Sequence, residues 1–383
     1  MEKLYPWRTG AITEILSSCL VYATNIDKAL KNSFKSSPKL GKKDRVFITE
    51  HAYNILRHLY SNQCTDLNEV IFTYFENNGY DVSRMESGQT TLELDPEEFD
   101  SRFSVSKWVL NEFAASNNDK VVESVFEALN HRKQAFIRVN TNEISVQDFL
   151  DILSKGEIHF TSQNADSTCL LISEESIVAL SQSDNYNRGY YEYQDLASQS
   201  LIEHVLPFIS DSKAVLDLCA GEGGKSVQIA QSFKSSDRFA YDIVSDKTKH
   251  LKRRFERFKN TDCPNILSKD ELKAKNDFDL ILIDAPCSGT GTFGRLPTQK
   301  YHLTEKHFND MQKVQKQLLN DASAKVLDEG FIAYSTCSIL NKENQQQVEL
   351  FLNANDNFKL ITEKQILPTT DHDGLYVALL QKV

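Results

Sequence analysis

One segment constrains the fold of this chain more than any other. The apolar run Ala214-Val215-Leu216-Asp217-Leu218 leads directly into Cys219-Ala220-Gly221-Glu222-Gly223-Gly224-Lys225-Ser226, and a helix-forming stretch over residues 227–233 follows. Strand, glycine-rich turn and helix in that order make a nucleotide-binding arrangement: glycine lets the backbone come close to a ligand and turn through positive φ, and a helix N-terminus offers free N–H groups. Four more short apolar runs, at 238–242, 280–284, 331–335 and 375–380, alternate with amphipathic helical stretches. That alternation predicts buried parallel strands in a doubly wound, Rossmann-like α/β sheet, with ligands at the C-terminal ends of its strands.

Several cofactor classes compete for the turn. Gly224-Lys225-Ser226 resembles the end of a phosphate-binding loop, but Cys219 stands six residues before Lys225, where that loop needs a glycine. An S-adenosylmethionine site uses the same turn and also needs an acid at the end of the second strand to take the ribose hydroxyls. Asp242, 25 residues after Asp217, is so placed, although a strand-end cap is its simpler role. A nicotinamide dinucleotide would use the same acid, but the turn does not read Gly-x-Gly-x-x-Gly.

Two thiols stand at two further strand ends. Asp284-Ala285-Pro286-Cys287-Ser288-Gly289-Thr290-Gly291-Thr292 follows the 280–284 run, and Tyr334-Ser335-Thr336-Cys337-Ser338 closes the 331–335 run. A lone cysteine is most often a small buried apolar residue. Two Cys-Ser pairs at one rim, beside a cofactor turn, point instead to chemistry. The chain has seven cysteines in 383 residues, an odd number spread too thinly for a disulfide scaffold.

These residues resemble the RNA cytosine C5-methyltransferases of the Nop2/Sun type. The shared features, in order, are Gln194-Asp195-Leu196-Ala197-Ser198-Gln199, the glycine-rich turn, the Asp-Ala-Pro-Cys-Ser-Gly-Thr-Gly segment, Arg295-Leu296-Pro297, the Thr-Cys-Ser segment, Glu343-Asn344 and Asp373-Gly374. Upstream, Arg102-Phe103-Ser104, Trp108 and Arg138-Val139-Asn140 resemble the RNA-binding module of that family, so the likeness runs over roughly residues 100–383. The family turn usually reads Cys-Ala-Ala-Pro-Gly-Gly-Lys. Here Gly221 and Glu222 replace the second alanine and the proline, which removes a stiff residue and adds a carboxylate. Near the start, Leu40-Gly41-Lys42-Lys43-Asp44-Arg45 with Tyr53 and Leu56-Arg57 resembles the NusB-like region of the bacterial enzyme that methylates a cytosine of small-subunit ribosomal RNA.

Three segments follow. Residues 1–98 are expected to form a helical, NusB-like domain, from apolar positions such as Ile12, Ile15, Leu16, Cys19 and Leu20 at three- and four-residue steps. The acidic stretch Glu93, Asp95, Glu97, Glu98, Asp100 marks an exposed connector. Residues 99–190 are expected to be a small α/β RNA-binding module, with Ser106 capping a helix through Trp108, Val109 and Phe113 and a strand over 135–139. Residues 191–383 are expected to be the catalytic domain.

The resemblance implies Cys337 as nucleophile, Cys287 in product release, Asp284 on the N3 and N4 edge of cytosine, and Lys225 orienting the base or assisting Asp284. It implies S-adenosylmethionine held by Cys219, Ala220, Gly221, Glu222, Gly223, Gly224, Lys225, Asp242 and Asp284, with Asp270 as the third-strand acid, and no metal. The substrate implied is single-stranded or looped RNA, since the target base must leave its stack, and the small-subunit (16S) ribosomal RNA in particular; the implied state is a monomer.

A net charge of −11 argues against coating nucleic acid by bulk charge. Locally, though, residues 247–259 carry seven basic side chains against Glu256, and residues 31–45 carry six against Asp44. Each is a candidate phosphate contact or simply a solvated helix face. No run approaches the roughly 18 apolar residues of a membrane span, and the first ten residues lack the apolar core of a signal peptide, so the expected compartment is the cytoplasm. Two other readings stay open: an inactive RNA-binding ribosome assembly factor of the same fold, and a redox protein using Cys287 and Cys337 as a dithiol.

Overall fold

Phe278-Asp279-Leu280-Ile281-Leu282-Ile283-Asp284 is apolar at five of its seven residues, four of them consecutive, and a strand of that kind is stable only when both of its faces are covered. It sits inside a seven-stranded sheet whose alternate residues feed two separate cores. Leu216, Ile281, Ile283, Ile332, Tyr334, Ala378 and Leu380 enter one, while Val215, Leu280, Leu282, Ala333, Val377 and Leu379 enter the other. Each fully buried aliphatic side chain contributes about 1.5–3 kcal/mol, and the period of two along each strand places every second one on the opposite face.

The computed structural model describes residues 2–83, 85, 92–162, 167–209 and 212–383. These fall into two compact units, one of residues 1–132 with 292–307, the other of residues 133–291 with 308–383. In chain order the first unit contains strand β1 (Glu2–Lys3), helices α1 (Pro6–Tyr22), α2 (Ile26–Ser36), α3 (Lys42–Arg57) and α4 (Leu67–Asn77), strands β2 (Tyr80–Asp81), β3 (Phe99–Asp100) and β4 (Val105–Ser106), and helices α5 (Lys107–Ala114) and α6 (Asp119–Ala128). Ser106 does stand at the N-cap of α5, but its hydroxyl makes no capping bond and is buried without a partner. The acidic stretch is more than a connector, since Phe99 stacks on Tyr60 at 4.2 Å and β3 pairs with β4.

The second unit opens with β5 (Ala135–Val139), α7 (Val146–Lys155), β6 (Phe160–Ser162), β7 (Cys169–Ile172), α8 (Ile177–Gln182) and β8 (Tyr191–Tyr193). Its four strands form an antiparallel sheet of order β6-β7-β5-β8. The large sheet follows, through α9 (Leu196–Val205), β9 (Ala214–Asp217), α10 (Gly224–Ser232), β10 (Asp237–Ala240), α11 (Ser245–Phe255), β11 (Asn265–Ile266), α12 (Lys269–Ala274) and β12 (Phe278–Asp284).

After Gly291 the chain rejoins the first unit with α13 (Gln299–His302). There the buried Lys300 ammonium donates to the carbonyls of Arg57 and Phe103 and to Asn130 Oδ1, and the Arg57 guanidinium donates twice to the Gly294 carbonyl, at 3.1 Å each. The chain closes with α14 (Glu305–Ser323), β13 (Val326–Thr336), α15 (Gln345–Ala354), β14 (Phe358–Ile366) and β15 (Leu375–Lys382).

The order of the large sheet is β11-β10-β9-β12-β13-β15-β14. Its first five strands run parallel, as the alternation of runs and helices predicts. The 375–380 run departs from that expectation: β15 lies antiparallel to both β13 and β14. β14 turns directly into β15 with no helix between them, so no crossover brings the last run back parallel.

Candidate active site

The glycine-rich turn is fixed by backbone hydrogen bonds. The Ala220 N–H donates to the Tyr241 carbonyl, the Gly223 N–H to the Ala220 carbonyl and the Val227 N–H to the Gly223 carbonyl, at 2.9–3.0 Å. Gly223 adopts φ 87°, and a Cβ there would lie 2.7 Å from Leu251 Cγ. Only glycine meets both conditions without strain. Asp242 follows β10 and accepts from the Gly221 N–H through Oδ2 and from the Val244 N–H through Oδ1, each at 2.8 Å. Glu222 is exposed and Cys219 half-buried, with burial pushing the Cys219 thiol far up from its ordinary value.

At the end of β9, Asp217 is buried. Its Oδ2 accepts from Ser226 Oγ at 2.6 Å, and its Oδ1 has no partner. Burial pushes this carboxyl up to about 7; the Ser226 bond opposes that, while the charges of Asp284 and Asp242 add to it. Lys225, in the first turn of α10, binds Asp284 Oδ2 at 2.6 Å. Burial alone would lower the Lys225 pKa, but the Asp284 carboxylate outweighs it and holds the ammonium above its ordinary value.

The two thiols meet. Cys287 Sγ and Cys337 Sγ lie 3.4 Å apart, both unoxidised and both half-buried. The hydrogen bond to Cys337, then burial, then the Cys337 and Glu343 charges hold the Cys287 thiol well above its ordinary value. Their loops are laced together. The Gly291 N–H donates to the Cys337 carbonyl at 2.9 Å, the Ile339 N–H to Thr290 Oγ1 at 3.0 Å, and Ser288 Oγ lies 3.2 Å from Ser338 Oγ.

Beneath them Glu343, fully buried, accepts from the Ser288 N–H at 2.8 Å, from Ser288 Oγ at 2.5 Å and from Gln315 Nε2 at 3.0 Å. Asn344 donates to the Ser338 carbonyl at 2.9 Å and accepts from Thr336 Oγ1 at 2.6 Å. The sequence marks Glu343-Asn344 as a family signature and leaves it without a role.

Asp270 stands exposed in the first turn of α12, which follows the C-terminal end of β11, between Ser268 and Glu271 of a capping box, and its side chain makes no hydrogen bond among the described residues. The basic side chains divide as well: Arg254 and Arg257 are drawn inward to the buried Glu192, Arg254 at 3.1 Å, while Lys247, Lys249, Lys252, Arg253 and Lys259 remain exposed. Among the described residues, no group of three or more His, Cys, Asp or Glu is arranged to hold a metal ion, and no helix is long and apolar enough to cross a membrane.

Residues 206–381 match the family described as 16S rRNA methyltransferase RsmB/F, and residues 105–179 match the ferredoxin-like domain described as RsmF/B-like. The chain belongs to the RsmB/F family. It is an RNA methyltransferase that depends on S-adenosylmethionine, so phosphate-loop and dinucleotide readings of the glycine turn fall away. Ribosomal RNA small subunit methyltransferase B of Proteus mirabilis is 28% identical over 287 residues, 74% of this chain and 67% of that protein. Its counterpart in Photorhabdus laumondii is 30% identical over 275 residues, 68% of this chain and 62% of that protein.

Among solved structures, that of PH0851 superposes with a TM-score of 0.79 at 21% identity over 100% of both chains. NSun6 from Pyrococcus horikoshii, solved with SFG, gives 0.62 at 16% identity over 76% of this chain and 100% of that one. Both share the fold.

The residues that the sequence assigns to S-adenosylmethionine suit that group. The space beside Gly221, where a Cβ would point, is open; Asp217 Oδ1 is buried and unpartnered; and the carboxylates of Asp217, Asp242 and Asp284 suit a cationic ligand.

Proposed function

We propose that this chain methylates carbon 5 of a cytosine in small-subunit ribosomal RNA, with Cys337 as covalent nucleophile and Cys287 serving product release. The observation that carries this reading is the pair of free thiols 3.4 Å apart at the ends of adjacent strands, on the rim that also holds the Lys225–Asp284 pair. Carbon 5 of cytosine is electron-poor, so the ring needs activation before it can take a methyl group.

The Cys337 thiolate adds to carbon 6. A C–S bond forms, and the electrons of the 5,6 double bond pass into the ring and make carbon 5 nucleophilic. Negative charge then grows along N3, where Lys225 stabilises it, while Asp284 accepts the N4 amino hydrogen. S-adenosylmethionine, when bound, supplies an electrophilic methyl group for carbon 5. The carbon 5 proton next leaves to a base on the Cys287 side, directly or through water. Its bonding pair restores the double bond, and the C–S bond breaks with its electrons returning to Cys337.

Gly221 and Glu222 do not oppose this reading, because Gly221 faces open space and Glu222 is exposed. The supporting cofactor contacts are the backbone of residues 219–224 and the Asp242 carboxylate. For the RNA, exposed Lys247, Lys252 and Arg253, with Lys31, Lys35, Lys39, Lys42 and Lys43 on the first unit, are proposed phosphate contacts. A cytoplasmic monomer that needs no metal is the proposed working form.

The test is transfer of labelled methyl from S-adenosylmethionine to unmodified small-subunit ribosomal RNA, with the product digested to nucleosides. Label in 5-methylcytidine, lost in Cys337→Ala, is expected, and Cys287→Ala should accumulate a protein–RNA adduct. Label in another nucleoside, or undiminished activity in Cys337→Ala, would overturn the proposal.

A further inference from the structure

Two thiols side by side pose a question that the fold alone does not answer: which of them attacks. The charged groups of this rim are placed differently about the two loops. The Lys225 ammonium is anchored on Asp284 at 2.6 Å. The Glu343 carboxylate interacts with Cys287, and its partners are neutral donors: the Ser288 N–H and hydroxyl, Gln315 and Ser338.

Burial pushes the Glu343 carboxyl up, and those donors pull it back toward the ionised form. Tyr334, on β13, donates its hydroxyl to the Glu343 carbonyl at 2.6 Å, and burial holds that phenol far above its ordinary value, so it adds no charge. A proton shared across the 3.4 Å gap between the sulfurs therefore lies beside the Glu343 carboxylate at its Cys287 end.

We infer that Glu343 is the positioning residue that divides the labour between the thiols: through Ser288 it holds the Cys287 loop in place, and its charge keeps the shared proton on Cys287, leaving Cys337 free to attack. The inference rests on the reading of Cys337 as nucleophile. Glu343 touches neither sulfur and acts only through Ser288 and its field.

The experiment uses the full chain without RNA or cofactor. It is treated with limiting iodoacetamide at about pH 8, where thiolate fraction sets the rate, and the peptides carrying Cys287 and Cys337 are quantified separately. Cys337 should react at least about tenfold faster than Cys287, and Glu343→Gln, which keeps the side-chain volume, should raise the Cys287 rate about tenfold. Ser288→Ala keeps the charge and the Ser288 N–H bond to Glu343 while removing the hydroxyl contacts, so its Cys287 rate should stay within about twofold of wild type.

An unchanged rate ratio in folded Glu343→Gln would overturn the inference, as would an equal rise in Ser288→Ala, which would mean a loosened loop. The wild-type ratio can be measured however the variants behave, and a Cys287 rate at or above that of Cys337 overturns the inference alone. None of these rates depends on methyl transfer. A Cys337→Ala protein that still methylates would thus refute the proposed nucleophile separately.

Discussion

At the glycine-rich turn the proposed catalytic rim is made chiefly of backbone, with N–H groups and carbonyls of residues 220–227 and the Tyr241 carbonyl fixing the path, and the Asp242 and Asp217 carboxylates reaching in by side chains. At the cysteine end it is made of side chains, with two thiols set by hydroxyls, amides and one buried carboxylate drawn from four separate stretches of chain. The first construction tolerates most side-chain changes provided the main chain can hold its path. The second has no spare parts, because each side chain there is the sole source of its chemistry or of its neighbour's position.

The contrast breaks most readily at Cys337. Cys337→Ala should reduce methyl transfer by at least about a thousandfold, as loss of a covalent nucleophile does elsewhere, while the thermal midpoint of the half-buried site moves little. At the backbone end the damaging change is one of main-chain path. Gly223→Ala puts a Cβ on a φ of 87° and 2.7 Å from Leu251 Cγ, a cost of about 1–3 kcal/mol. S-adenosylmethionine binding measured by calorimetry should weaken by about tenfold or more, and unchanged affinity would refute the backbone account.

Asp217 gives a smaller effect with a definite sign. Its folded pKa is raised to about 7 from 3.8, so the folded state holds the proton more tightly. The stability this gives is complete below the unfolded pKa and is lost as pH rises from about 4 to about 7. Asp217→Asn should flatten that part of the curve of thermal midpoint against pH, and an unchanged slope would count against the assignment. Smallest of all, Glu222→Ala should alter cofactor affinity by less than about twofold, as expected for an exposed side chain on a turn held by its backbone.

The same contrast explains what the sequence disclosed. A backbone-built turn must be written in glycine, so its position was plain, and the two thiols were plain because each follows an apolar run. The support beneath them was not. Ser288 and Glu343 lie 55 residues apart, and Gln315 and Glu343 lie 28 apart, each in its own element, so no local spacing announces the network. The direction of β15 was equally hidden, since an apolar run reads alike in both senses and β14, with eight of its nine residues exposed or partly so, gave no run at all. The third strand was hidden for a related reason: the two-residue β11 leaves no pattern from which to count, and Ser268 with Glu271 three residues on marks only the start of the helix that carries Asp270.

The return of residues 292–307 to the first unit has a consequence for how such a protein can be cut or recombined. Neither unit is a bead on a string. A gene fragment that starts at residue 133 still encodes Lys300, with its ammonium deprived of the Arg57 and Phe103 carbonyls and Asn130, while a fragment that ends at residue 132 leaves the Arg57 guanidinium without the Gly294 carbonyl. Each fragment would carry buried polar groups stripped of their partners. The two units are therefore expected to be inherited, expressed and degraded together, and a shorter version of this enzyme would have to shed the 292–307 excursion along with the helices that receive it.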